Sequence, residues 1–501
     1  MRGGDARCGV PGGTEYGGGA GCGALNYDAG PPLPVSGPAP VLRSVGHPAP
    51  RVTSPAPRIF GLMWLHRMMP LISYIGVRSY YRVSVAGARV AAEGPVLVVA
   101  NHTNSLVDPA LVVVAADRTV RFLAKAPLFD SALIGWLVKA VGSVPVYRQQ
   151  DDPSKLAQNL DSFRDVHKVL SEGHAVGIFP EGISHSSSQL APLKTGAARI
   201  AIGAGQRIGR DFPIVAMGLV FRDRDVFRSE AHVIITEPFP WADLLGKGLT
   251  DRDAVRELTR RIERAMRSVT LNLEEWEDEP LVRAAEQVWR AEFGAADDAA
   301  GEIERLRRTT DALLALRTGA SSDWIGIADE LRTHARKLRR LGLTPEALTR
   351  DARIGVAVGW SVARVPLVLL LPVSLLGAAV FWAPKWITAR YAAKMAESEG
   401  EDTLVTHRVL IGGIAFPAWF LLVALAVWPF AGGAWALLAL AVQPFWAFAA
   451  LAVGERRQQA WEAVRRFFLR RAERPRLEAL REQQHALAVQ LQRLYDQVVT
   501  A

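Results

Sequence analysis

Cysteine is nearly absent from this chain of 501 residues, which contains only Cys8 and Cys22. The rest of the chain therefore has neither a disulfide framework nor a thiolate metal site, and a reducing compartment is compatible with that. Histidine and cysteine also show no zinc-binding spacing, so no metal is expected. Residues 1–57 lack the apolar segment of a secretory signal peptide, and no such peptide is expected.

Motifs of several well-studied enzyme classes are also missing. No Walker phosphate loop occurs, and Gly203-Ala204-Gly205 lies at the end of a predicted helix instead of linking a strand to a helix. That position excludes a dinucleotide loop there. No G-x-S-x-G nucleophile elbow occurs either. Its absence weakens, without removing, the hypothesis of a serine lipid hydrolase that uses Ser105 or Ser184.

Hydrophobic residues and positive charge are abundant instead. Hydrophobic residues make up 50% of the chain, the mean hydropathy is +0.11 and the formal net charge is +9. A basic chain suits nucleic acid, anionic lipid or phosphorylated substrates, and the long apolar stretches described below favour lipid. Nucleic acid is not expected as a partner, because Glu and Asp are interleaved with Arg in the charged helical region.

The length allows two or more structural units, and composition divides the chain into segments. In order, these are a Gly/Pro-rich disordered tail at 1–57, a membrane-surface helix at 58–82, an α/β domain at 83–250, a helical extension at 251–350, membrane-embedded helices at 354–453 and a charged helical tail at 454–501. Pro70 is expected to break the second segment. For the first segment, the alternatives are a functional linker or a reading frame that starts too early. For the second segment, the alternative is an ordinary buried helix.

The third segment alternates short apolar runs with helical patterns. Strands are predicted at residues 95–100, 144–147, 175–179, 213–221 and 232–236. Amphipathic or small-residue helices are predicted between them, at 154–170 and 193–204. Strands that alternate with helices predict an α/β fold with a mostly parallel sheet flanked by helices.

Three nearly uncharged stretches follow the helical extension, at residues 365–383, 409–430 and 434–453. Each is long enough, or nearly so, to cross about 30 Å of hydrocarbon. Pro366 and Pro372 interrupt the first, which we expect to be re-entrant or monotopic, while the other two form a hairpin. The positive-inside bias then keeps the Arg-rich tail and the α/β domain on the cytoplasmic side of the membrane. Buried helices of a soluble domain are the alternative.

The segment from Asn101 to Pro109 carries the clearest chemical signal. It lies between a buried strand and a helix, where α/β proteins place ligands. His102 in such a loop can take a proton from a hydroxyl, and Asp108 can hold its tautomer. A structural alternative has the same residues as helix caps, with Asp108 as the N-cap.

Three further segments favour the catalytic interpretation of His102 and Asp108 over the helix-capping one. Gly142 to Arg148 (GSVPVYR) ends in an arginine beyond a strand, Gly177 to His185 (GIFPEGISH) follows another strand, and Pro213 to Leu219 (PIVAMGL) lies downstream. In this order, with the His/Asp box first, the four blocks resemble the PlsC-like glycerophospholipid acyltransferases over roughly residues 95–220. The resemblance implies a glycerol-3-phosphate acyltransferase-like fold.

The resemblance also implies a mechanism. His102 would be the general base and Asp108 its orienting partner, so that an acceptor hydroxyl attacks the acyl thioester without an acyl-enzyme. Arg148 would hold the acceptor phosphate, and Glu181 and Gly182 would shape the acceptor pocket. Lys194 would be a second phosphate contact, by its charge and not by the motif. No cofactor is implied. The expected partners are the membrane, a glycerol-phosphate acceptor, and acyl-CoA or acyl carrier protein as donor.

Two departures from the family pattern bear on the acceptor. Five residues instead of four separate His102 from Asp108, and Ser184 stands where the third block usually carries arginine, with His185 after it. These features are similar to the glycerol-3-phosphate/dihydroxyacetone-phosphate acyltransferase subgroup, which also has C-terminal membrane segments. Glycerol 3-phosphate, dihydroxyacetone phosphate and lysophosphatidate stay open as acceptors. An inactive lipid-binding protein on the same fold is the non-enzyme alternative, and the intact His/Asp pair argues against it.

Overall fold

The α/β domain of the computed structural model is built on a seven-stranded sheet with strand order β1-β7-β6-β2-β5-β3-β4. The structure describes residues 63–131, 135–147, 159–185, 187, 189–273, 278–294, 299–318, 322–349 and 368–500. The strands are β1 (Arg82–Gly87), β2 (Val96–Ala100), β3 (Val120–Lys125), β4 (Val144–Val146), β5 (Ala175–Ile178), β6 (Ile214–Phe221) and β7 (Glu230–Ile235). The paired strands are parallel except β6 and β7, which pair antiparallel. The predicted mostly parallel sheet is confirmed.

Helices cover both faces of this sheet. They are α1 (Met63–Tyr80), α2 (Val107–Ala116), α3 (Gly135–Ala140), α4 (Asn159–Ser171), α5 (Gly196–Ile208), α6 (Ala242–Leu245) and α7 (Arg252–Arg267). Strand β2 shows why its apolar run is continuous. Leu97 and Val99 belong to the core beneath α4, α5 and α7, whereas Val96 and Val98 belong to the core beneath α1 and α2. A strand buried on both faces needs apolar residues at every position.

Two strands were missed, and two local predictions differ from the structure. Strands β1 (RVSVAG) and β3 (VRFLAK) were not predicted, because polar residues interrupt their apolar runs. The predicted break near Pro70 is wrong, since α1 runs through it. Helix α5 begins at Gly196 instead of Leu193, because the Lys194 amide donates to Pro180 O at 2.8 Å and so belongs to the preceding loop.

The helical extension consists of α8 (Glu279–Phe293), α9 (Ala299–Thr318), α10 (Ser322–Leu341) and the short α11 (Pro345–Thr349). The last helix of the chain, α16 (Arg474–Thr500), packs on this group. Leu487 and Leu491 of α16 share a core with Val288 of α8 and Leu331 of α10. The second half of the charged tail is thereby attached to the helical extension.

Four helices lie between the extension and α16. They are α12 (Leu371–Val380), α13 (Trp382–Glu399), α14 (Leu404–Ala431) and α15 (Gly433–Ala472). Helix α14 and residues Gly433–Arg465 of α15 are long and apolar enough to cross a membrane, with mean hydropathies of 2.3 and 2.0. Their large apolar side chains are mostly exposed, as in helices that face lipid.

Helices α12 and α13 bend by 51° at their junction, which fits a broken span or a re-entrant loop. The predicted re-entrant stretch began at residue 365, and Pro366 lies outside the described residues. Pro372 opens α12 instead of interrupting it, because proline is tolerated in the first turn of a helix. Helix α15 continues without a break past residue 453, where the apolar stretch was predicted to end.

Candidate active site

His102 lies in the loop that follows β2, at the carboxyl edge of the parallel strands. Its Nδ1 is 2.9 Å from Asp108 Oδ2. A carboxylate only accepts hydrogen bonds, so Nδ1 carries the proton and donates. The imidazole is 20% exposed, while the Asp108 side chain is fully buried. Within the described part of the chain, Nε2 has no hydrogen-bond partner, and it can accept a proton from a ligand.

Asp108 is the second residue of α2, and the predicted N-cap role is wrong. Leu106 occupies the N-cap without a side-chain hydrogen bond. The Asp108 carboxylate turns back into the preceding loop, where Oδ2 accepts from Thr103 N and Asn104 N, each at 2.7 Å. Ser105 has a left-handed backbone with φ of 43°. This turn folds the loop, with its five intervening residues, around the carboxylate.

Glu181 lies beneath the same loop and is buried. Its Oε1 accepts from the His102 backbone N–H at 2.9 Å, and its Oε2 accepts from Ala191 N at 2.8 Å. His185 Nε2 donates to the same Oε2 in a short hydrogen bond. Ser187 N donates to His185 Nδ1 at 3.1 Å, which fixes the proton on Nε2. Glu181 therefore supports the main chain of His102 from inside the domain.

Two aromatic rings support the imidazole from one side. Phe179 stacks on His102 with ring centroids 4.1 Å apart, and Phe122 stacks behind Phe179 at 5.7 Å. Gly177 makes room for this stack, because a Cβ there would lie 2.3 Å from the Phe122 ring. The sequence showed Phe179 inside a motif block but gave no signal for its contact with His102.

Gly182 and Lys194 are neighbours at the edge of the site. Gly182 has φ of +74°, and a Cβ at that position would lie 2.7 Å from Lys194 Nζ. The Lys194 side chain is exposed and crosses over this glycine. The structure thus brings His102, Asp108 and Glu181 into one hydrogen-bonded group, with Gly182 and Lys194 next to it. Arg148 lies outside the described residues.

Distant segments complete the loop, and no sequence motif indicated them. Asn104 Nδ2 donates to the Tyr81 hydroxyl at 2.9 Å, and that hydroxyl donates to Arg224 O. Burial raises the pKa of Tyr81, which keeps the phenol protonated as this donor. Arg224 Nη1 in turn donates to Thr103 O at 3.4 Å. Thr406, at the start of α14, accepts from Leu106 N at 3.2 Å.

Part of this chain is similar to known acyltransferases. Residues 82–220 match the family model described as Acyltransferase. The chain is 25% identical over 283 residues to glycerol-3-phosphate O-acyltransferase 1 of Saccharomyces cerevisiae, covering 52% of this chain and 36% of that protein. It is 27% identical over 180 residues to the chloroplastic 1-acyl-sn-glycerol-3-phosphate acyltransferase LPAT1 of Arabidopsis thaliana, covering 36% and 47%.

A bacterial relative and a solved structure show similar partial matches. The 1-acyl-sn-glycerol-3-phosphate acyltransferase of Bacillus subtilis is 31% identical over 126 residues, covering 25% of this chain and 56% of that protein. The chain thus spans between 36% and 56% of the length of these three relatives. The crystal structure of PlsC from Thermotoga maritima shares 18% identity and a TM-score of 0.31, covering 42% of this chain and 80% of that one. At that score the likeness adds no weight to the fold, which follows from the strand order. Residues 82–220, which contain the His102 loop and the Glu181 block, are thus similar to acyltransferases, and these three relatives match between 25% and 52% of this chain.

Proposed function

We propose that this protein is a membrane-associated O-acyltransferase of phospholipid synthesis. It moves a fatty acyl group from acyl-CoA or acyl carrier protein to the hydroxyl of glycerol 3-phosphate or 1-acylglycerol 3-phosphate. One observation carries the proposal: His102 is held by the buried Asp108 at 2.9 Å and keeps Nε2 open at the carboxyl edge of the sheet. The Acyltransferase family model, which residues 82–220 match, supports the same reaction class.

The reaction is a direct acyl transfer. His102 Nε2 takes the proton of the acceptor hydroxyl while the hydroxyl oxygen attacks the thioester carbonyl carbon. The tetrahedral intermediate collapses, the C–S bond breaks, and the thiolate leaves with the proton from the imidazolium. An ester and a free thiol result. General base catalysis of this kind contributes on the order of 10²–10⁴-fold.

Asp108 has two tasks in this scheme. It keeps the His102 proton on Nδ1, so that the lone pair of Nε2 faces the acceptor. Its negative charge also stabilises the imidazolium that forms after proton transfer. The hydrogen bonds from Thr103 N and Asn104 N stabilise the charged carboxylate inside the domain.

The acceptor phosphate is assigned to the cationic edge of the site. The exposed Lys194 beside Gly182 supplies one charge there, and Arg148 is proposed to supply a second by a forked guanidinium. Helix α5 begins two residues after Lys194, at Gly196, and its first backbone N–H groups favour an anion. Glu181 acts on the base by fixing its main chain, and Gly182 leaves space for the lysine.

The catalytic domain is proposed to lie on the cytoplasmic side of the membrane. Helices α14 and α15 form an antiparallel hairpin whose two outer ends both adjoin this domain, so one side of the membrane holds all the charged regions. Arg456, Arg457 and Arg465 follow the apolar stretch at 434–453. They fit the positive-inside bias with that orientation.

Purified membranes that contain the wild-type or His102→Ala protein test the proposal. Glycerol 3-phosphate, dihydroxyacetone phosphate and lysophosphatidate are each supplied with labelled acyl-CoA or acyl carrier protein, and labelled ester is measured. We expect acceptor-dependent ester formation that falls about 10²-fold or more in His102→Ala. His485→Ala, which removes an exposed imidazole on α16, is the matched control.

Three results would contradict the proposal. Equal turnover by His102→Ala would remove the base, and fatty acid release without an acceptor would indicate a hydrolase. Ester formation from none of the acceptors would indicate an inactive lipid-binding protein. Ser184 Oγ accepts from Ser105 N at 3.3 Å, so the two serines of the hydrolase hypothesis lie next to each other.

A further inference from the structure

The turn between β6 and β7, residues 222–229, carries two exposed apolar side chains at its tip. Val226 is 54% exposed and Phe227 is 48% exposed. Arginine flanks them at Arg222, Arg224 and Arg228. Asp223 and Asp225 stand between them, and all three arginines make salt bridges with carboxylates of the protein. The two exposed apolar side chains match a membrane surface, whose interfacial layer takes up apolar groups.

One side of this turn contacts the start of the first candidate span. The Arg408 guanidinium donates to Asp225 O in a short hydrogen bond and to the Tyr80 hydroxyl at 2.9 Å. Arg408 is the last charged residue before the uncharged stretch 409–430 of α14. The turn therefore lies beside the point where α14 would enter hydrocarbon.

The other side of the turn contacts the end of the second candidate span. Arg228 Nε donates to Glu455 Oε1 at 2.8 Å. Glu455 is the first charged residue after the uncharged stretch 434–453 of α15. Arg228 has a left-handed backbone with φ of 65° and also donates through Nη1 to Arg78 O, which holds the turn against α1. Both boundaries of the membrane hairpin thus meet at one turn of the catalytic domain.

We propose that residues 222–229 dock on the membrane, with Val226 and Phe227 in the interfacial layer of the leaflet that α14 and α15 cross. The depth follows from Arg408 and Glu455, which mark where the apolar stretches begin and end. Phe227 also extends an apolar surface, because its ring lies 5.3 Å from Tyr80 at the end of α1. Leu71, Ile72 and Ile75 of α1 are also exposed.

The docked turn is directly connected to the loop that carries His102. Arg224, in the same turn, donates to Thr103 O next to His102. A membrane-embedded acceptor would therefore meet His102 from the side of this turn. This statement about the acceptor rests on the proposed function. The docking itself rests only on the geometry of the turn and the hairpin.

Site-directed labelling tests the docking without any assay of activity. Cys8→Ser and Cys22→Ser give a full-length chain without cysteine, into which Phe227→Cys or Val226→Cys is introduced and labelled with a nitroxide. In vesicles of phosphatidylcholine and phosphatidylglycerol, collision with oxygen and with a water-soluble nickel chelate is measured. Leu422→Cys on α14 is the lipid reference, and Ile325→Cys on α10 is the water reference.

We expect the labels at 226 and 227 to favour oxygen, with ratios well above that of position 325 and below that of position 422. Ratios equal to that of position 325 would place the turn in water and overturn the inference. Spin–spin broadening that disappears on dilution with unlabelled protein would assign the turn to a contact between two copies, and would overturn it as well.

A kinetic arm separates this inference from the proposed function. With Phe227→Asp, we expect a several-fold higher KM for lysophosphatidate presented in vesicles and an unchanged KM for soluble glycerol 3-phosphate. Phe293→Asp, at an exposed phenylalanine of α8, is the matched control. A protein that is inactive with every acceptor but shows lipid-exposed labels at 226 and 227 would remove the function and leave the docking intact.

Discussion

The backbone N–H of His102 donates to Glu181 Oε1 at 2.9 Å, so two buried carboxylates share one loop. Glu181 takes the N–H of residue 102, and Asp108 takes the N–H groups of Thr103 and Asn104. His102 O also accepts from His185 N at 3.0 Å. The main chain on both sides of the imidazole is therefore fixed by hydrogen bonds to charged or buried groups, and the side chain has little freedom to leave the site.

Asp108→Asn should lower kcat strongly and change KM little. An amide can donate to the imidazole, which permits the tautomer with the proton on Nε2 and blocks the base. By analogy with other His–carboxylate pairs, we expect a loss on the order of 10⁴-fold. Steady-state kinetics with saturating acyl donor measure it. A kcat within a few fold of wild type would show that Asp108 does not orient the base.

His185→Leu should lower both stability and kcat, because Glu181 Oε2 loses its imidazole donor. A lost hydrogen bond to a buried charge is worth about 1.5–3 kcal/mol in the free energy of unfolding. His185→Gln keeps an N–H near the place of Nε2 and should recover most of the loss. His485→Leu removes an exposed imidazole that is 3.0 Å from Glu292, and serves as the control. Equal kinetics for the Leu and Gln variants at position 185 would contradict the role of this donor.

Thr406→Val should loosen the catalytic loop from the start of α14. Leu106 N loses its acceptor at 3.2 Å, and an unsatisfied N–H costs about 1–3 kcal/mol. We expect a lower kcat with a near-normal KM for the donor, measured in reconstituted vesicles. Thr388→Val is the control, because that hydroxyl donates to Pro384 O in α13 away from the loop. If both variants behave alike, the contact between α14 and the loop has no kinetic role.

Acidification should destabilise the helical extension through His334. Burial lowers the pKa of this imidazole, so the folded state holds it neutral. The unfolded chain then binds more protons, and stability falls as pH drops below the unfolded pKa of about 6.5. The slope is at most about 1.4 kcal/mol per pH unit for one proton. Thermal unfolding in detergent between about pH 5 and 8 measures it.

His334→Asn removes one titrating group and should lessen this pH dependence, while His167 and His174, whose pKa values burial also lowers, retain the rest. Thr333→Val, at the adjacent residue without a titratable side chain, should leave the slope unchanged. A wild-type slope in His334→Asn would assign the acid sensitivity to other groups.

Elements whose residue pattern is local could be predicted from the residues alone. The apolar runs that became β2, β5 and β6 are buried on both faces, and such burial leaves a continuous apolar signature. The uncharged stretches at 409–430 and 434–453 likewise indicated α14 and α15. His102 and Asp108 are only six positions apart, so their contact could also be predicted.

The distant groups that support that loop could not be predicted, because the fold brings them together. Thr406 is 300 residues from Leu106, and Arg224 is 121 residues from Thr103. Neither contact leaves a periodic or compositional trace, because a single hydrogen bond constrains one side chain and no neighbouring residue. Strands β1 and β3 were missed for a related reason: their polar positions suit sites near the sheet margin, and membership of the sheet depends on partners elsewhere in the chain.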